Sequence, residues 1–541
     1  MSVNLSLPAL SLVDGCSTAS EIQQIHALTI KTGVFRKEPF RISAKIIRSC
    51  CSSTFRPSTD DLEYAVSLFN RFVRGTDYAS FFYNTLIRTH TQNHLYEEAF
   101  LLFYDMLCCS PPFLPDNFTF PSVLKSCAHL SAIEEGKQIH CMILKTATAL
   151  GNQFVQNSLI HMYARCGEID LAHKAFDSMP HRNVVSWNMM IDVFAKCGHI
   201  DSSRQFFDNM PERNVVSWNS VIAGYVRNSL PDEALRLFLQ FLFLGLNPDE
   251  STLVSVVSAI ADLGLLDLGK RIHGYLTRHQ FSLSGVLGTA LIDMYSNCGS
   301  IQTAYKIFES FPNKTVGHWT SMIVGFANHG MARSSLQIFS QMQRSGTEPN
   351  YITFIGVLTA CNHGGLVVEG LKHFNLMRRV YNINPGIEHY GCLIDLLGRM
   401  GHIEEAKMIV ERMPMEPGVV IWASVLAACR THGNTKTAEL AAQKLIELEP
   451  GYAGCYLLMS DIYAKMGRWE DLGRIRKLME ERGVEKNPGL SWIEVDVELH
   501  QFAVGDKFHP RCGEIYRTLN MLECHLKDHS NRDAAEMVYS S

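Results

Sequence analysis

No apolar run in the 541-residue chain reaches the ~18 residues that a membrane-spanning helix needs. The most apolar window, Ala234 to Leu246, is broken by Arg236 and Gln240, so no membrane partner is expected. The sixteen cysteines include no C-x-x-C pair, which leaves poor material for a zinc cage or a thioredoxin-like motif. Reduced cysteines that serve packing in an intracellular compartment are the expectation. Basic residues are not in excess either: 49 Lys and Arg stand against 54 Asp and Glu, a net charge of −5. That balance counts against a protein that holds nucleic acid mainly by neutralising phosphates. Residues 1–13 carry Ser and Leu without acids but also without Arg, and the first basic residue is Lys31, so an Arg-rich presequence is not legible. What is present is a folding composition, 46% hydrophobic and 10% aromatic.

Length alone suggests three or four globular units, but an internal repeat overrides that prior. Met179-Pro180-His181-Arg182-Asn183-Val184-Val185-Ser186-Trp187-Asn188 returns 31 residues later as Met210-Pro211-Glu212-Arg213-Asn214-Val215-Val216-Ser217-Trp218-Asn219. Gly136-Lys137-Gln138-Ile139-His140 returns as Gly269-Lys270-Arg271-Ile272-His273, and more weakly as Gly370-Leu371-Lys372-His373-Phe374. Those spacings of 133 and 101 residues divide into units of 31, 35 and 36.

Each unit reads as two amphipathic helices. In residues 153–183, Leu159 and Tyr163 lie at i and i+4 on a first helix. After a turn at Cys166-Gly167, Ile169, Ala172, Phe176 and Met179 form one apolar stripe on a second helix, which Pro180 stops. The stripe recurs as Ile301, Ala304, Phe308, Phe311 and as Ile403, Ala406, Val410, Met413. A hairpin of ~30 residues cannot bury such a face alone, so stacked neighbours must cover it, and an α-solenoid with a long groove is predicted.

The ordered variation in repeat length, with V-V-S-W-N, N-x-L-I-x-M-Y-x-x-C-G and M-P-x-R-N, resembles the plant pentatricopeptide repeat family, in the class that alternates P, L and S repeats. Val215–Asp249 and Val316–Asn350 look like P repeats, Glu250–Ser284 like an L repeat, and Gln153–Asn183 and Gly285–Thr315 like S repeats. The resemblance implies an all-α fold, a right-handed α-solenoid of tandem helix-turn-helix repeats. It divides the chain into an N-terminal segment with a partial L-like repeat (1–38), the array (39–418), two E motifs (419–488) and an extension (489–541). The E motifs are carried by Cys429-Arg430-Thr431-His432-Gly433-Asn434 and Tyr463-Ala464-Lys465-Met466-Gly467-Arg468-Trp469. Beyond Pro488, alternation at Trp492 to Val495 and at Phe502 to Val504 predicts a short strand pair.

The family reads single-stranded RNA with one repeat per base, a code carried by a few side chains. By resemblance, the readers are the fifth and last residues of each repeat. Asn219 with Asp249, and Asn84 with Asp116, join an amide to an acceptor-only carboxylate and suit uracil. Thr320 with Asn350 resembles the adenine-preferring pair. Asn157 with Asn183 and Asn188 with Asn214 accept either pyrimidine, and Thr289 with Thr315 points to a purine. The L repeats place Pro121, Val254 and Ile355 at the fifth position and supply spacing. The predicted target is U, any, pyrimidine, pyrimidine, U, any, purine, A. Asn and Asp also cap helices and fill turns, and Trp187 and Trp218 could stack on bases, although a Trp that opens a helix hairpin is more often core.

A zinc deaminase needs an H-x-E and a C-x-x-C. The chain has no C-x-x-C, and its only H-x-E, His402-Ile403-Glu404, falls in the turn before a second helix, so no catalysis, metal or cofactor is expected. Proteins of the E subgroup act as site-recognition factors for C-to-U editing of organelle transcripts. The resemblance thus implies single-stranded organellar RNA as ligand. A deaminase-bearing relative and accessory editing proteins would be recruited in trans through residues 419–510. A mitochondrial address is expected, with the plastid as the alternative. Within RNA biology the competing reading is an organelle RNA stability, splicing or processing factor. From another class it is a peptide-binding scaffold, whose strict 34-residue period and Lys/Arg clamps are not found.

Overall fold

The computed structural model describes residues 19–51, 57–109, 112–146, 151–485, 489–495, 498–503, 507 and 509–522. Residues 1–13, Pro488, and Val504 with its neighbours to Asp506 lie outside the described residues, as does Phe508. The chain divides into two compact units, Met1–Thr252 and Leu253–Ser541.

Within each unit the architecture is a run of α-helical hairpins, as the periodicity predicts. In the first, Gln153–Arg165 pairs with Ile169–Asp177, Val184–Lys196 with Ile200–Asn209, and Val215–Arg227 with Pro231–Phe243. In the second, Val286–Asn297 pairs with Ile301–Ser310 and Val316–Asn328 with Ala332–Arg344. The irregular stretch at 39–79 forms two helices of its own, Pro39–Cys50 and Thr59–Phe72. First helices of consecutive repeats pack on one another, as Val184–Lys196 does on Val215–Arg227. No helix among the described residues is long and apolar enough to cross a membrane.

The apolar stripes are the core. Ala172, Ala304 and Ala406 are buried with their partners Phe176, Phe308 and Val410, and the missing bulk lets the paired helices close up. The fourth stripe residue departs from expectation in backbone only. Met179 lies past the helix end at Asp177, and Phe311 and Met413 are extended caps, with ψ of 118 and 142°; all three stay buried. A proline follows each of them, and its ring disfavours helical backbone at the preceding residue.

The repeated Gly-Lys-x-Ile-His phrase also has a packing explanation. A Cβ on Gly136 would stand 2.5 Å from Met162 Sδ, and one on Gly269 equally close to Met294 Sδ. The glycines thus admit the methionine of the next repeat's first helix. Four residues on, His140 bonds the Tyr163 hydroxyl at 2.8 Å and His273 that of Tyr295 at 3.0 Å. Trp218 is 5% exposed and meets Phe207 edge-on at 4.8 Å, so the core reading of this tryptophan holds. Cys127, Cys361 and Cys429 are core residues whose thiols burial pushes up to about 12, 12 and 11, unreactive at neutral pH.

At the C-terminal end, Val419–His432 pairs with Thr435–Leu448 and Ala453–Lys465 with Trp469–Glu481. The predicted strand pair follows as β1 (Leu490–Val495) and β2 (Glu498–Ala503), antiparallel with Leu490 opposite Ala503.

Candidate nucleic-acid interface

At Asn183, Asn214, Thr315 and Asn350 the last residue of a repeat is the N-cap of the next repeat's first helix. Asn183 Oδ1 accepts the Ser186 N–H at 2.9 Å, and Asn183 N–H donates to the Ser186 hydroxyl at 3.0 Å. Asn214 with Ser217, Asn350 with Thr353 and Thr315 with His318 close the same box. The cap and the candidate reader are therefore one side chain, and the cap fixes which way it faces.

Two predicted pairs are brought into direct contact. Asn219 Nδ2 donates to both oxygens of Asp249, at 2.9 and 3.0 Å, while Asn219 Oδ1 accepts the Thr252 hydroxyl at 2.6 Å. Asn84 and Asp116 repeat this arrangement at 3.0 and 3.1 Å, with Thr119 in the place of Thr252 at 2.6 Å. The amide is thus consumed inside the protein, and the exposed carboxylate is what each pair presents. Burial raises the Asp249 carboxyl, but bonds from the Thr252 backbone and hydroxyl and from Asn219 outweigh it and hold the group below its ordinary value. An ionised carboxylate is an acceptor only, so it selects a base edge that offers N–H.

Thr320 and Asn350 meet through a third residue. The Thr320 and Thr353 hydroxyls bond at 2.7 Å, and Asn350 Oδ1 accepts both the backbone and hydroxyl donors of Thr353 at 2.9 Å. With its oxygen engaged, the exposed Asn350 is left with a donor, the complement of an acceptor such as adenine N1.

Among the described residues no hydrogen bond joins the other three pairs. Asn183 Nδ2 donates to Gln153 Oε1 at 3.0 Å instead of to Asn157, and the carbonyl oxygens of Asn157 and Asn188 are buried without a partner. Thr289 and Thr315 each spend their hydroxyls on backbone, Thr289 on Gly285 O and Thr315 on the His318 N–H, both at 3.4 Å. His318 Nε2 lies 3.2 Å from the same Gly285 carbonyl.

Two features escaped the sequence reading. One is the third residue of each following repeat: Thr119, Ser186, Ser217, Thr252 and Thr353 stand beneath the readers, and His318 takes the place once. Its signal is a Ser or Thr three residues after each repeat's end. The other is an apolar residue at the second position of most repeats, three before the fifth and on the same helix face, although the repeat of Thr320 has Gly317 there. Phe81, Phe118, Phe154, Val185 and Val216 in the first unit, and Val286 and Ile352 in the second, are each more than half exposed. An apolar plate at the second position and a polar reader at the fifth suit a flat ring with a polar edge.

In the first unit Phe154 and Val185 line a cavity of about 550 Å³, together with Arg88, Lys125, Asn157, His161 and Asn183 among others. Burial and then the charges of Arg165, His129, Lys196 and Lys125 lower the pKa of His161, which places a cluster of cations beside the cavity despite the acidic net charge. Away from it, His402 of the H-x-E is a helix-preceding residue whose ring pairs with Glu405 at 3.0 Å.

Comparison with known proteins identifies the family. Residues 81–110, 157–184, 185–215, 317–347 and 388–416 match the PPR repeat, 213–262 the PPR repeat family, and 432–494 the E motif. A pentatricopeptide repeat-containing protein of Arabidopsis thaliana is 43% identical over 506 residues, covering 94% of this chain and 80% of that protein. Another from the same plant, named chloroplastic/mitochondrial, is 38% identical over 533 residues, covering 96% and 77%. The crystal structure of PPR10 from maize aligns with 88% of this chain and 79% of its own, at 17% identity and a TM-score of 0.49. With repeats, E motif and relatives along nearly its full length, the chain belongs to the pentatricopeptide repeat family, in the subgroup that carries an E motif.

Proposed function

We propose that the protein binds single-stranded RNA base by base and serves as the site-recognition factor for C-to-U editing of an organelle transcript. The observation that carries the first half is the recurrence of one hydrogen-bonded triad, Asn84–Asp116–Thr119 and Asn219–Asp249–Thr252. A cap needs only Asp and Thr; the Asn adds nothing to the helix end. Its amide instead orients the carboxylate, which then accepts the N3–H of uracil while the ring lies against Phe81 or Val216. The donor left on Asn350 supports adenine at its repeat. Energy spent on base edges needs fewer phosphate contacts, which suits an acidic protein.

The editing half rests on the E motif at 432–494 and the strand pair that overlaps its end. In this reading the RNA lies with its 3′ part toward the C-terminal repeats. Residues 419–510 bring a deaminase-bearing relative and accessory proteins to the target cytidine. The organelle is the mitochondrion, with the plastid, named for several relatives, as the other candidate.

The test is selection of bound RNAs from a random single-stranded pool, followed by sequencing. Enrichment of U, a pyrimidine opposite repeat 184–214, U and A at the predicted spacing supports the reading. A folded protein that enriches nothing would sink it. Loss of editing at one transcript site in a plant lacking the protein tests the second half.

A further inference from the structure

The repeats 153–183 and 184–214 carry the same readers, Asn157/Asn183 and Asn188/Asn214, yet the residue that faces the last reader differs. The first opens with Gln153 and the second with Val184. Asn183 Oδ1 is fixed on the Ser186 N–H at 2.9 Å, which turns its Nδ2 toward Gln153 Oε1 at 3.0 Å. Both ends of the Asn183 carboxamide are therefore engaged within the protein. Asn214 Oδ1 takes the Ser217 N–H in the same way, but a valine cannot accept its amide. Asn157 is 9% exposed, lines the 550 Å³ cavity, and its Oδ1 has no partner. A buried acceptor without a donor is a destabilising vacancy that a ligand N–H relieves.

Building on the RNA-reading proposal, we infer that Gln153 is a positioning residue that withdraws Asn183 from readout, so that repeat 153–183 accepts any base able to donate to Asn157. Repeat 184–214 keeps two contacts, Asn188 as acceptor and Asn214 as donor. Two fixed contacts set how deep a base edge can reach, and so separate pyrimidines from longer purines. One contact beside a roomy cavity does not. Equal letters at the reader positions thus give unequal selectivity.

The test measures binding of RNAs that differ only at the base facing each of the two repeats. For the wild-type protein, purines should cost less than about threefold at the 153–183 site and about tenfold or more at the 184–214 site. Gln153→Ala should bring the first site to a purine penalty of about tenfold, while Gln153→Glu, which still accepts from Asn183, should retain the wild-type tolerance. Val184→Gln should relax the second site. Equal selectivity at both sites in the wild-type protein, or no change on Gln153→Ala, overturns the inference while selectivity at the Asn219/Asp249 site leaves RNA reading intact. A protein without base selectivity at any site removes both.

Discussion

Asn219 gives its amide to both carboxylate oxygens of Asp249, and Asn84 does the same to Asp116 135 residues earlier by sequence number. The pair that the code names as two independent readers is one hydrogen-bonded unit before any RNA arrives. Its outward chemistry is that of the carboxylate. Replacing Asn219 and Asp249 by Thr and Asn rebuilds the Thr320/Asn350 arrangement, because Thr252 already stands where Thr353 does. The double variant should shift that one position from uracil to adenine by about tenfold or more, read by binding to paired oligonucleotides.

Thr252 should matter to both stability and reading. Its hydroxyl donates to Asn219 Oδ1 and contacts Asp249 Oδ1 at 2.9 Å, and its N–H is the capped donor. Thr252→Val keeps the shape and removes the hydroxyl, leaving the buried Asn219 carbonyl unpaired at a cost of about 1–3 kcal/mol in chemical denaturation. Thr252→Ser should recover most of it.

Asp293 supplies a pH dependence of known sign. Burial raises its carboxyl to about 6, against the opposing Ser321 hydroxyl. The folded state holds this proton more tightly than the unfolded chain, so the stability of the second unit falls as pH rises from about 4 to 6. Asp293→Asn should therefore stabilise at pH 7 by roughly 2 kcal/mol and change little at pH 4, seen in urea midpoints at the two pH values.

Gly288 allows a backbone approach that no side chain can replace. A Cβ there would fall 1.9 Å from the Leu283 carbonyl oxygen. Gly288→Ala should destabilise by more than ~2 kcal/mol despite its gain in helix propensity, a reversal of the usual sign at a helical glycine.

Lys125 tests the electrostatic share of binding. It lines the cavity near Arg88 and His161 but belongs to no reader pair. Lys125→Ala should weaken all RNAs alike and lower the slope of log affinity against log salt by about one. The wild-type slope itself should be modest, since few phosphates are neutralised.

The sequence by itself determined the hairpins, their stripes, the caps and the terminal strand pair. These follow from periods of 3.6 and 2 and from side chains that bond their own backbone three residues away, as Asn183 and Ser186 do. It also named the candidate reader positions, since the repeat length carries them. Tertiary structure decided which readers are free. Asn183 turns to Gln153 across 30 residues, Asn219 to Asp249 across 30, and Thr320 to Thr353 across 33. Those bonds join neighbouring helices, and a tenth of a helical turn or an ångström of approach makes or breaks them. The letters Asn and Asn are the same in two consecutive repeats, and the glutamine that bonds the last Asn of one has a valine in its place in the other.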